Sequence, residues 1–256
     1  MYVDLNGALV FMLVMMRMTG MLALNPIFGR NNIPVILRAG LAFIMAIILT
    51  SLLPFPAMPE PTLANFAFMT LAELMIGFAA GVLINLFLSI IATAGEVVDM
   101  QMGFAMANVF DPNSNMSMAL TATVFNAIFL LAFFTTGNYL NFIYLIVQTF
   151  GIIPLGTVGF SPEGLLYLPN FFSTILVFSA MLALPMVVVQ VIVTLAVGVI
   201  MRIVPQINIF VLNIQIKLVI GILVLVFLLQ PMMAFFNNLW NISFERLWEL
   251  LNFMAP

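Results

Sequence analysis

Of the chain's 256 residues, 65% are hydrophobic and only 6% charged, with a mean hydropathy of +1.27. A soluble domain carries about 25% charged residues, and a globule in water needs a polar skin that this composition cannot supply. Lipid is the solvent that fits. Histidine and cysteine are both absent, and the net charge of −3 includes no basic run, which excludes imidazole and thiolate chemistry, disulfides and nucleic-acid binding.

The N-terminal stretch MYVDLNGAL has Asp4 as its first charge. It lacks the basic start of a cleaved signal peptide, so the first apolar segment is expected to stay in the mature protein. Crossing a bilayer takes about 20 apolar residues in a helix. Leu5 to Leu24 meets that length, interrupted only by Arg17. A turn from Asn25-Pro26 to Pro34 leads to a second segment, Val35 to Leu53, which Pro54, Pro56, Pro59 and Pro61 close. Leu63 to about Val98 is longer than one bilayer crossing. The run GFAMANVFDPNSNMS, Gly103 to Ser117, has turn signals and reads as a loop.

Met118 to Thr135 reads as a fourth helix, Leu140 to Phe150 as a short fifth, and Gly151 to Pro169 as a Gly/Pro-rich connection. Asn170 to Met201 follows, with a kink expected at Pro185. Ile207 to Leu229 is expected to end at Gln230-Pro231, leaving a tail, Met232 to Phe253, whose tryptophans suit a membrane or subunit interface. The expected fold is an all-α, multi-helix integral membrane protein without a linker between separate domains. Arg30 and Arg38 favour a cytoplasmic first turn. The acidic loop around Glu96, Asp99 and Asp111 would then share that side, against the usual charge bias. The 21 methionines and 26 phenylalanines suit either gap-filling between helices or a deformable seal.

Three helices carry small or polar residues every fourth position. The rows are Glu73, Gly77, Gly81, Asn85, Ser89 and Thr93; Gln190, Thr194, Gly198, Arg202 and Gln206; and Asn213, Lys217 and Gly221. Residues four apart share a helix face, so each row is expected to form a strip that packs on other helices rather than lipid. Arg17, Glu73, Arg202 and Lys217 are costly inside apolar helices and need partners, either one another or a neighbouring subunit; an ion relay is the functional alternative. No base stands ready for a serine or cysteine nucleophile. Asp99 and Asp111 flank a loop instead of facing each other from two helices, and no Walker A motif is present. The chain reads as a non-enzyme without a cofactor or metal.

In order, these landmarks resemble the FliR family of flagellar export proteins, whose injectisome relatives are the SctT and SpaR groups. The match comprises Arg17, Gly20, Pro26, Phe28, Pro34 and Arg38; Glu73, Gly77 and Gly81; AGEVVDMQMGFAMANVFDP, 94–112; QTFGIIPLG, 148–156; and ALPMVVVQVIVTLAVGVIMRIVPQINIF, 183–210, with its Arg202, Pro205 and Gln206. The runs 94–112 and 202–210 are the specific parts. Departures fall at Gly137-Asn138-Tyr139, where relatives have Asn-Gly-His, and at Asn213 and Gln215, where they have Gly and Pro.

The resemblance implies a subunit of the bacterial inner membrane and flagellar basal body. It would assemble with FliP-like and FliQ-like subunits, contact an FlhB-like subunit and pass unfolded proteins. Residues 1–117 and 118–256 would be FliP-like and FliQ-like parts, with helical hairpins packed into a ring. It also implies that the 103–117 loop belongs to a pore plug centred on Gly103, Phe104, Met106, Asn108, Phe110, Asp111 and Pro112. Arg17, Glu73, Gly77, Gly81, Asn85, Gln190, Gly198, Arg202, Pro205, Gln206 and Lys217 would serve helix and subunit packing. The competing reading is a secondary transporter for a small molecule.

Overall fold

A computed structural model describes residues 5–23, 25, 33–55, 61–104, 119–157, 159, 163–203 and 209–255, without the side chains of 5, 163–168 and 209–212. The described residues form seven helices and no strand: α1 Leu5–Ala23, α2 Val35–Leu52, α3 Leu63–Met102, α4 Leu120–Thr135, α5 Asn138–Ile152, α6 Glu163–Ile203 and α7 Ile209–Phe253. Five of them, α1, α2, α3, α6 and α7, are long and apolar enough to cross a membrane. The protein is an all-α, multi-helix membrane protein.

Local chemistry sets most helix ends. Pro34 stands immediately before α2, where its missing amide costs nothing. Leu53 and Pro54 close that helix. Thr62 caps α3, its Oγ1 accepting from the amide of Asn65 at 3.4 Å. Gly137, with φ +77°, turns the chain from α4 into α5. That left-handed conformation admits Gly and Asn most readily, which accounts for a glycine at this turn.

Two expected breaks do not occur. The connection ends earlier than expected, at Glu163, and α6 continues through Pro169 and Pro185. α7 runs through Pro231 for 45 residues, so the expected tail is the second half of one helix. Proline removes one amide from the ladder, but leaving the helix in lipid would strand several backbone groups. Continuity is therefore the lower-energy choice.

The chain divides into two compact units, each drawing on separated stretches of sequence. One comprises residues 1–88, 137–170 and 241–256; the other comprises 89–136 and 171–240. In the first, α1 packs on α2, with Phe11 edge-on to Phe43 at 5.5 Å. Leu13, Val14, Met18, Ala46, Ile76 and Phe142 are buried there. In the second, Trp240 stacks on Phe129 at 4.7 Å and lies 4.6 Å from Phe133, with Phe236 edge-on to Phe129. Trp240 is 1% exposed, which corrects the interfacial position expected for it. Trp240→Ala is expected to cost about 3–5 kcal/mol through the cavity it leaves, read as a lowered melting midpoint of the purified protein in detergent.

Candidate functional site

Two buried polar centres, one in each unit, organise the helices. In the first unit, Arg17 on α1 and Glu73 on α3 are fully buried and form an ion pair, with Nε 2.5 Å from Oε2 and Nη2 3.1 Å from Oε1. The guanidinium also donates to the carbonyls of Thr149 and Ile153, each at 2.9 Å. Those carbonyls close α5, where a helix has unsatisfied acceptors and its dipole favours a cation. Phe150 lies against the same guanidinium, 4.4 Å from ring centre to Cζ. Glu73 Oε1 accepts from the amide of Gly156 at 2.8 Å. The pair thus holds the end of α5 and the start of the following connection. Its donors and acceptors are spent on structure, which leaves little for a relay.

Beside this centre the backbones of α1 and α3 nearly touch. A Cβ built on Gly77 would lie 2.8 Å from the amide nitrogen of Met21 and nearer still to the Arg17 carbonyl. One on Gly20 would lie 2.8 Å from the nitrogen of Phe78. The Gly77 contact is therefore internal to this chain.

The second unit holds Asp99, 6% exposed, near the end of α3. Its carboxylate accepts from the Thr121 amide at 3.1 and 3.2 Å and from the Thr121 hydroxyl. Gly95 fits against Ala122 at the same crossing, with no room for a Cβ. Asp99 was visible in sequence only as a loop-flanking acid. The signal for its role is Ala119, the residue before α4, which has no side chain able to cap that helix.

The four-residue rows do not behave as single strips. Glu73, Gly77 and Gly81 are buried, whereas Asn85 and Thr93 are exposed. An α-helix has 3.6 residues per turn, so a row of every fourth residue winds by about 40° per step and leaves its starting face. Gln190 is fully buried and donates to the Lys217 carbonyl at 3.0 Å. Thr194, Gly198 and Arg202 are exposed on α6, and a Cβ built on Gly198 would meet none of the described residues within 4 Å. Among the described residues neither Arg202 nor Lys217 forms an ion pair. The oxygens Gln190 Oε1 and Asn213 Oδ1, both buried, meet no donor among those residues.

Of the residues assigned to the plug, Gly103 and Phe104 are half-buried at the end of α3; Met106, Asn108, Phe110, Asp111 and Pro112 lie outside the described residues, as do Pro205 and Gln206. Residues 8–242 match bacterial export proteins, family 1. The chain belongs to that family. Similar proteins include the flagellar biosynthetic protein FliR of Escherichia coli (strain K12), 28% identical over 239 residues, 93% of this chain and 91% of that protein. The FliR protein of Bacillus subtilis (strain 168) is 26% identical over 251 residues, 94% of each chain. That of Aquifex aeolicus (strain VF5) is 26% identical over 245 residues, 94% of this chain and 93% of that protein.

The export-family match spans both units and both polar centres. The landmarks that carry the sequence resemblance also meet in space: Arg17, Glu73 and the 148–156 segment form the first centre, and the 94–112 run supplies Asp99 to the second.

Proposed function

We propose that this chain is a channel-forming subunit of the flagellar protein export gate in the bacterial inner membrane. Together with FliP-like and FliQ-like subunits and an FlhB-like contact, it would pass unfolded flagellar proteins, and the 103–117 loop would form part of a plug. Membership of a bacterial export family whose relatives are flagellar biosynthetic proteins makes it a component of the flagellar export apparatus. The observation that carries the finer reading is the exposed polar band on α6. Thr194, Gly198 and Arg202 are exposed on the apolar C-terminal stretch of α6 beyond Gln190, a pattern suited to unlike helices and poorly suited to lipid. Apolar faces are bare too: Val219, Leu223, Val226 and Phe227 on α7 are all more than half exposed, Phe227 at 83%. The proposed division into FliP-like and FliQ-like parts near residue 117 would give the chain two kinds of neighbour.

Affinity purification in mild detergent, with mass spectrometry of co-purifying chains, tests the assembly. FliP-like and FliQ-like subunits are expected. A stable monomer with its α6 band in water would overturn the gate and return the reading to a small-molecule transporter. The plug carries its own test. Phe104, Met106 and Phe110 supply apolar bulk able to close a pore by dewetting. Deleting Phe104 to Pro112 is expected to make the assembled complex conduct small ions in a planar bilayer; conductance equal to the wild type would refute the plug.

A further inference from the structure

Between Ile209 and Phe244, Lys217 is the only charged residue of α7. It is half-buried and makes no ion pair among the described residues. Its backbone is fixed, because Gln190 of α6 donates to its carbonyl at 3.0 Å. A lysine near the start of a membrane helix costs least when its methylenes lie on apolar surface and its ammonium reaches the headgroups. From there α7 continues as LVIGILVLVFLL, 218–229, without a polar side chain. That run covers about 18 Å of helix, slightly more than the hydrocarbon depth of one leaflet.

Along this run, in the second unit, a groove of 320 Å³ opens between the end of α3, α4 and α7. Met102, Val124, Ile128, Ile222, Val226 and Leu229 line it. Thr121, its only polar wall residue among those described, gives its hydroxyl to Asp99. Met102 packs at the end nearer Lys217, with its Cε where a Cβ on Gly221 would stand, one turn past the lysine. Val124 is 41% and Val226 62% exposed, so the groove opens outward.

Its dimensions select an occupant. Ile222 to Leu229 covers about 10 Å of helix, which makes the groove about 6 Å wide on average, against 10–12 Å for a helix with its side chains. An extended hydrocarbon chain fits that width and a neighbouring helix does not. Water would find no partners on such walls. The α7 residues of the groove lie about 8 to 18 Å below Lys217, the depth of an acyl chain whose phosphate stands at the ammonium.

We infer that the groove holds one acyl chain of an anionic phospholipid, and that Lys217 pairs with its phosphate. The inference goes beyond the gate reading and does not depend on it, since the cation and the groove belong to one unit of this chain.

The test takes the full chain, with its co-purifying subunits, in phosphatidylcholine vesicles. These are doped with phosphatidylglycerol or phosphatidylcholine carrying a photoreactive acyl chain, and labelled peptides are located by mass spectrometry. Labelling is expected within 120–128 and 222–229, and more strongly from phosphatidylglycerol. Lys217→Gln is expected to lower the phosphatidylglycerol signal about fivefold, the factor for one lysine at a membrane surface, and to leave the phosphatidylcholine signal as it was. Val124→Trp, which fills the groove, is expected to cut labelling by both lipids about tenfold, the equivalent of two methylenes left unburied. Absence of label from those segments, or label that Val124→Trp does not reduce, would overturn the inference. A phosphatidylglycerol signal unchanged by Lys217→Gln would overturn it as well. So would a photoreactive residue placed at 124 that captures a co-purifying polypeptide instead of lipid, which would give the groove to a subunit. If Val124→Trp does not fold, Val226→Trp, at a more exposed position on the same wall, decides in its place. Recovery of the chain without partners would sink the gate and leave the labelling intact, so the two readings fail separately.

Discussion

Replacing Glu73 by alanine is expected to destabilise the protein by about 3–5 kcal/mol, the range for removing one member of a buried ion pair. That is a large fraction of the total stability of an ordinary domain. Arg17 would keep its bonds to the carbonyls of Thr149 and Ile153 but hold a positive charge with no counter-ion in a fully buried position. The Gly156 amide would lose its acceptor as well. Glu73→Gln is expected to fall between alanine and wild type, because its amide oxygen can still accept from Gly156 while the charge is lost. Arg17→Met combined with Glu73→Leu is expected to cost clearly less than the sum of the single changes, since each single variant strands the other partner. The Ile153 carbonyl would still lack its donor, while Thr149 would keep only the Ile153 amide, so the double variant should not recover fully. The melting midpoint of the purified complex, with protease resistance as a second measure, reads every one of these variants. A Glu73→Ala protein melting like the wild type would mean that the pair is hydrated rather than buried.

The Arg17–Glu73 centre marks both the reach and the limit of sequence reading. Composition forces membrane helices, and the cost of a buried charge forces partners for Arg17 and Glu73; both requirements can be read without coordinates. That they choose each other, 56 residues apart, and share the end of α5 depends on packing no periodicity encodes. Prolines misled for a different reason. Pro169 and Pro231 carry a penalty calibrated on soluble helices, whereas in lipid the alternative to a helix is worse. The winding of the four-residue rows follows from helix geometry alone and needed no structure; a repeat of four simply does not equal the 3.6-residue turn. The cap from Asp99 to Thr121 was hidden because capping is normally sought next to the helix it serves. Its trace in sequence is an absence, an alanine where a cap belongs.

Gly77→Leu is expected to be at least as damaging as the loss of Glu73, by steric overlap instead of electrostatics. Overpacking a core costs about 1–3 kcal/mol when side chains can adjust. At Gly77 the obstacles are the Arg17 carbonyl and the Met21 nitrogen, both backbone, so no rotamer change relieves them and α1 must move away from α3. Moving α1 also pulls Arg17 from Glu73, one helical turn away, which adds part of the ion-pair penalty. The expected result is loss of the folded chain itself, seen as low membrane levels even before partners are counted. Gly198 offers the contrast. Nothing among the described residues lies near its missing Cβ, so Gly198→Leu should leave the chain folded and present in the membrane. If α6 meets another subunit at that band, as proposed, the same substitution should sharply reduce co-purification of partners. Gly77→Leu tolerated without loss would contradict the close crossing of α1 and α3. Gly198→Leu with full partner recovery would move the subunit contact off that face of α6.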